Sequence, residues 1–183
     1  MSGLRLMPLK CQSCERPLVF APGVVVVHCL DCGAGFEVGP GGALCPVAVS
    51  FARYNPNSSA FYPFWVFDAR IRLAARESKR PSEAAGGLAA RFEQLGLVQL
   101  YCAAFTGELE QGWPWSLTLS LEQPDLAPAP RQKALDGLAL SQDDARLLAR
   151  DIVVTGELRL PDTVRRLEFD LDLQNPRVAA IAL

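Results

Sequence analysis

Four of the six cysteines fall into two pairs of identical spacing, Cys11-Gln-Ser-Cys14 and Cys29-Leu-Asp-Cys32. Fourteen residues, Glu15 to His28, separate the pairs. Two thiolates at i and i+3 share one tight turn. Two such turns brought face to face supply the four-sulfur donor set of a tetrahedral divalent metal. With thiolate in every position, no coordination site is left open for water or substrate, so such a centre is structural. The alternative use of paired cysteines is the disulfide, and compartment decides between them. Met1 to Lys10 has no apolar run of signal-peptide length, so a reducing cytoplasm is the expectation, and there metal is favoured over cross-links. The longest uninterrupted aliphatic stretch, Val24 to Val27, is far too short to span a bilayer, so no membrane insertion is expected.

The segments around the cysteines must bring the pairs together. Pro17 to Phe20 and Val24 to Cys29 read as strands around a turn at Pro22-Gly23, and Phe36 to Val38 as a third. Cysteine spacing and hairpin together closely resemble the zinc ribbons, small β-modules of transcription factors, ribosomal proteins and many bacterial accessory proteins. The resemblance covers residues 9 to 38 and implies Cys11, Cys14, Cys29 and Cys32 as ligands of one structural Zn²⁺. Gly33 and Gly35 suit the second turn, whereas Glu15 stands where a glycine is common in the first. Iron in a rubredoxin-like site is the redox alternative. Rubredoxins usually have longer spacing between the pairs and a proline where this chain has Leu30.

Beyond Gly39-Pro-Gly-Gly42, a linker by composition, the pattern changes. Val47 to Arg53 reads as a strand, and Phe61 to Ala74 contains a longer one. Its alternation places Phe64, Val66 and Asp68 on one side and Trp65, Phe67, Ala69 and Ile71 on the other. Arg76 to Gly96 reads as a helix capped by Ser82 and closed by Gly96, or as a loop, since Gly86-Gly87 costs about 1 kcal/mol per glycine in a helix. Leu97 to Phe105 and Trp115 to Glu122 read as strands, the latter alternating Leu117, Leu119 and Leu121 with Thr118 and Ser120. Pro124 to Pro130 is a loop. Ser141 with Asp144 resembles a capping box opening a short helix through Arg150. Ile152 to Leu160, Val164 to Leu173 and Val178 to Ala182 complete the strands, with a turn at Asn175-Pro176. The expected fold class is α+β: an N-terminal β-hairpin ribbon and linker over residues 1–42, then a mostly antiparallel, strand-rich α+β domain over 43–183.

The remaining chemistry is sparse. His28 is the sole histidine, so histidine acid–base catalysis and Ser-His-Asp or Cys-His nucleophiles would all have to run through one ribbon residue. A surface position, or one supporting the metal ligands, suits it better. Cys45 and Cys102 read as small buried hydrophobes. No glycine-rich loop has the setting of a phosphate cradle. Asp170 and Asp172 alternate with Phe169, Leu171 and Leu173, the pattern of a solvated strand face.

Two patches speak to partners. Tyr62, Phe64 and Trp65, with Trp113 and Trp115, could anchor another protein, although a central strand lined on both faces is the favoured account of the cluster. Arg70, Arg72, Arg76, Lys79 and Arg80 concentrate positive charge and offer a route to nucleic acid. The formal net charge of −2, lowered further by four thiolates around a divalent ion, gives no global attraction for it. A ribbon followed by a Pro63-Phe64-Trp65 strand and an apolar strand ending in Ala104-Phe105 resembles certain uncharacterised bacterial zinc-ribbon proteins, a resemblance that implies no activity. The expectation is a non-enzymatic zinc-ribbon adaptor binding another protein in a cytoplasmic assembly, with no small-molecule substrate evident. The alternative is a nucleic-acid-binding protein using residues 70–91.

Overall fold

A computed structural model describes residues 9–78, 87–105, 109–132, 135, 138–159 and 164–183. Strands β1 (Val26–His28), β2 (Gly35–Val38) and β3 (Leu44–Val47) form an antiparallel sheet in that order. Gly39 to Gly42, expected as a linker, is the turn that folds β3 back on β2, with Gly41 and Gly42 at φ 71° and 81°. Pro17 to Phe20, expected as a strand, has only a single bridge from Pro17 to Lys10. The hairpin around the cysteines is therefore β1 with β2, and the second Cys-x-x-Cys is its turn.

The second sheet is built on length. Strand β5 (Phe61–Ser78) runs 18 residues, the expected strand extended through Arg76. It pairs with β6 (Val98–Ala103) on one side and β8 (Val164–Ala182) on the other; β4 (Val49–Arg53) and β7 (Ala127–Pro128) complete the order β6-β5-β8-β4-β7. Only β4 and β8 run parallel among the described pairs. Two mostly antiparallel sheets with helices α1 (Gly87–Leu95), α2 (Leu109–Glu122) and α3 (Gln142–Leu158) give the expected α+β class.

The alternation of β5 sorts its side chains as expected. Trp65, Phe67, Ala69 and Ile71 face a core shared with Phe92 of α1 and Ala145, Ala149, Ile152 and Val153 of α3. Phe64 and Val66 face a smaller core with Tyr101, Leu119, Ala179 and Ile181. Phe64, Trp65 and Phe67 are all 0% exposed, each burial contributing about 2–3 kcal/mol.

Further expected elements differ. Trp115 to Glu122 is part of helix α2, not a strand. A leucine at every second position also gives two helical stripes: Trp113, Leu117 and Leu121 enter the larger core, and Trp115 and Leu119 the smaller. Ser116 and Ser120, between the stripes, face the outer edge of β6. Their hydroxyls each accept a backbone N–H, from Ala103 and from Tyr101, at 2.9 Å. Gly112, one turn earlier, permits the approach: a Cβ there would lie 2.9 Å from that of Ala103.

Ile152 to Leu160, read as a strand from its β-branched run, continues α3 to Leu158, well beyond Arg150. Ala145, Ala149, Ile152, Val153 and Gly156 recur at helical spacing and are buried, and packing overrides propensity. Ser141 caps the helix as expected, its hydroxyl accepting the Asp144 N–H at 3.1 Å.

Asn175-Pro176 makes no turn; β8 runs straight through it. Asn175 adopts φ 48°, and pairing with β5 shifts register between Val66 and Asp68, so the break is absorbed as a bulge. In the remaining segment α1 begins at Gly87 and Gly96, at φ 77°, closes it as expected. Lys79, Arg80, Ser82 and Gly86 lie outside the described residues.

Candidate metal centre

The two cysteine turns are copies of one another. The N–H of Glu15 donates to the Cys11 carbonyl, and that of Gly33 to the Cys29 carbonyl, each at 2.9 Å. Cys11 N–H reaches the Arg16 carbonyl and Cys29 N–H that of Ala34, at 2.9 and 2.8 Å. Each turn closes on a left-handed residue, Gly33 at φ 83° and Glu15 at φ 60°. Glu15 thus adopts the conformation a glycine would take freely, at a cost of about 1–2 kcal/mol.

All four sulfurs lie within 4.8 Å of one another. Cys11 Sγ is 3.5 Å from Cys32 Sγ, and Cys14 Sγ is 3.6 Å from Cys29 Sγ. A disulfide would bring sulfurs to about 2.0 Å. Four sulfurs at about 2.3 Å from a tetrahedral zinc stand about 3.8 Å apart, close to what is seen. Cys11 and Cys29 are buried, Cys14 half-buried and Cys32 exposed. Leu18, Val27 and Phe36 pack with Cys11 and Cys29 and exclude water from that side.

Electrostatics fit the same use. Burial opposes ionisation of Cys11, yet the amides of Ser13 and Cys14 and the Cys32 thiol hold it down at about 7. The Arg16 amide favours a Cys14 thiolate, but burial and the three neighbouring sulfurs push that thiol up to about 12. The Ala34 amide likewise favours ionised Cys32, and burial with Cys11 and Cys29 raises it. Four thiols this close ionise together only around a cation, which a divalent metal supplies.

The cluster is joined to the larger sheet. Val26 of β1 is buried in the main core. Val25 and Val26 both donate to the Leu138 carbonyl, at 2.8 and 3.2 Å, and Leu138 also bridges to Phe105. Arg131 Nη2 donates to the Asp31 carbonyl at 3.0 Å. No sequence signal marks Arg131; only the chain's return after β7 brings it there.

No protein-family model, curated protein or solved structure matches the chain.

His28 is half-buried: both ring nitrogens are shielded from solvent without a partner among the described residues, and the ring meets Phe51 edge-on at 5.7 Å. Burial first, then the charge of Arg131, lowers its pKa. Cys102 is buried as expected, its thiol pushed up to about 12 by burial; Cys45 is instead exposed on β3.

Of the aromatic candidates, Phe64 and Trp65 are wholly buried. Trp113 and Trp115 are half-buried against the two cores, and Tyr62 alone of the five is exposed, 5.2 Å from Phe105. Arg70 and Arg72 lie across from Asp172 and Asp170 on β8, so a carboxylate neighbours each charge. Arg76 pairs with the buried Glu157 at 2.5 Å. These positions share one strand without forming a stripe of one sign.

Proposed function

We propose that this chain is a non-enzymatic zinc-ribbon adaptor, in which an all-thiolate Zn²⁺ centre formed by Cys11, Cys14, Cys29 and Cys32 stiffens a docking module for another protein. The observation carrying the reading is the convergence of four thiols from two equivalent turns, which leaves a tetrahedral ion no vacancy. Zinc suits all-sulfur tetrahedral donors and has no redox chemistry. Among the described residues no helix is long and apolar enough to cross a membrane, and a cytoplasmic assembly is the setting this reading gives the adaptor.

The docking surface is the outer rim of the ribbon. Val19 and Leu30 are 77% and 47% exposed there, on segments whose shape the metal fixes. A Leu30→Asp, Val19→Asp variant tests this without touching a ligand. Quantitative affinity capture from the source cell, with wild-type and variant chains side by side, should find a protein held by the first and lost by the second. Capture of no protein by the wild-type chain contradicts the adaptor reading, and identical capture by both chains contradicts the placing of the docking surface at Val19 and Leu30.

A further inference from the structure

Away from the metal centre, on the face of the larger sheet that carries Phe64 and Val66, lies a cleft of 510 Å³. Its size is within the range of small-molecule sites. Asp68, Gln99, Tyr101 and Asp125 supply its polar atoms, and Leu97 and Leu126 apolar wall.

The backbone around it is specialised. Of the three described non-glycine residues with positive φ, two belong here: Gln123, at φ 51°, lines the cleft, and Asn175, at φ 48°, holds Asp68. The register of β5 against β8 shifts beside Asp68. Bulges and left-handed non-glycine residues carry a cost and concentrate where a site must be shaped. Gln123 is fixed in its conformation by its own amide, which accepts the Gln99 N–H and donates to the Gln99 carbonyl, both at 2.7 Å.

The hydrogen-bond inventory gives the ligand class. Asn175 Nδ2 and Arg177 Nη1 each donate to one Asp68 carboxylate oxygen at 2.9 Å. A carboxylate offers about four lone-pair sites, so acceptor capacity remains. The Tyr101 hydroxyl gives its proton to Gln99 Oε1 at 2.5 Å, leaving its oxygen to accept. Asp125 stands exposed on the rim. The guanidinium beside the cleft, Arg177, is paired with Asp68 and offsets its charge, so among the lining residues Asp125 leaves one net negative charge, which disfavours an incoming anion.

Burial works against the Asp68 charge, but Asn175 and Arg177 hold its pKa below the usual value. Leu97, 54% exposed, offers apolar surface.

We propose that this cleft binds an organic cation, an ammonium or guanidinium on an apolar stem, with Asp68 and Asp125 taking the charge and Leu97 and Leu126 the stem. The cation is either a free small amine or a basic side chain of a protein. The site is independent of the metal centre.

Titration of the full chain with n-butylammonium and n-butylguanidinium, followed by proton–nitrogen correlation spectra, tests the proposal. Both cations should move the Gln99, Tyr101 and Asp125 amide signals along saturating curves, while n-butanol and butyrate leave them in place. Asp125→Asn, at an exposed position, should weaken binding about threefold. Asp68→Asn should weaken it further, its fold checked by the dispersion of the same spectra. An N-acetyl-arginine methylamide that outbinds n-butylguanidinium identifies a protein side chain as the natural occupant; the reverse order identifies a free amine. Absence of saturable shifts, equal shifts with n-butanol or butyrate, or unchanged binding in the Asp125 variant overturns the proposal.

Discussion

Arg131 lies against Gly33: a Cβ on that glycine would come within 2.5 Å of the arginine's Nη1. The same guanidinium donates to the Asp31 carbonyl inside the second cysteine turn, 100 positions earlier in the chain. The segment bearing Arg131 is fastened to the larger sheet, where the Ala129 N–H donates to the Phe51 carbonyl at 2.9 Å. The larger sheet thus helps to shape the turn that presents Cys29 and Cys32.

Arg131→Ala should loosen the metal although it touches no sulfur. Removing groups that orient metal ligands typically costs about 10–100-fold in affinity, and the lower end is expected for this exposed contact. Competition with a chromophoric chelator measures it. Unchanged affinity would reduce the contact to incidental packing.

Cys29→Ser, or stripping the metal with a chelator, should melt residues 11–38 and leave β5 and β8 folded. A module this small cannot fold on core burial alone. The loss also withdraws Val26 from the main core, worth about 2 kcal/mol, which lowers Tm by about 4–8 °C in a chain of this size. Hydrogen exchange resolved by segment checks both halves. Full protection throughout would contradict the coupling.

Legibility in the sequence followed the reach of the signal. The cysteine turns were readable because spacing alone carries them, and β5 because alternation puts aromatics on both faces. Trp115 to Glu122 misled because leucines two apart serve a strand and a doubly buried helix equally. Ile152 to Thr155 misled because β-branched residues pack well in a helix that has Gly156 beside α1. Asn175-Pro176 reads locally as a turn, and only Asp68, gripping Asn175 and Arg177 from across the sheet, makes it a bulge. Arg131 was invisible because its role depends on tertiary return. The cleft had one local sign, an aspartate that follows directly on the apolar run Phe64 to Phe67.

Helix α2 should act as a cover for the outer edge of β6. Ser120→Ala leaves the buried Tyr101 N–H without its acceptor, costing about 1–3 kcal/mol. The Ser116, Ser120 double alanine variant should lose more and associate through the freed edge. Urea unfolding and light scattering read the two effects. Wild-type stability and a monodisperse double variant would argue against this role.

Glu157 is wholly buried, paired with Arg76 and accepting the Leu88 N–H at the start of α1. Glu157→Ala should therefore destabilise by about 3–5 kcal/mol, the usual effect of breaking a buried ion pair. Glu157→Gln, which keeps the shape and an acceptor for Leu88, should cost less. Chemical denaturation of both variants decides, and equal small losses would place the pair outside the stabilising set.

The central claim is that four sulfurs hold one divalent ion, and titration of the reduced, metal-stripped chain with cobalt(II) addresses it most directly. The account predicts saturation at one equivalent, thiolate-to-cobalt charge transfer, the strong ligand-field bands of a four-coordinate ion, and displacement by zinc. Failure to saturate at one equivalent, or the same spectrum after serine replaces any of Cys11, Cys14, Cys29 or Cys32, would contradict it.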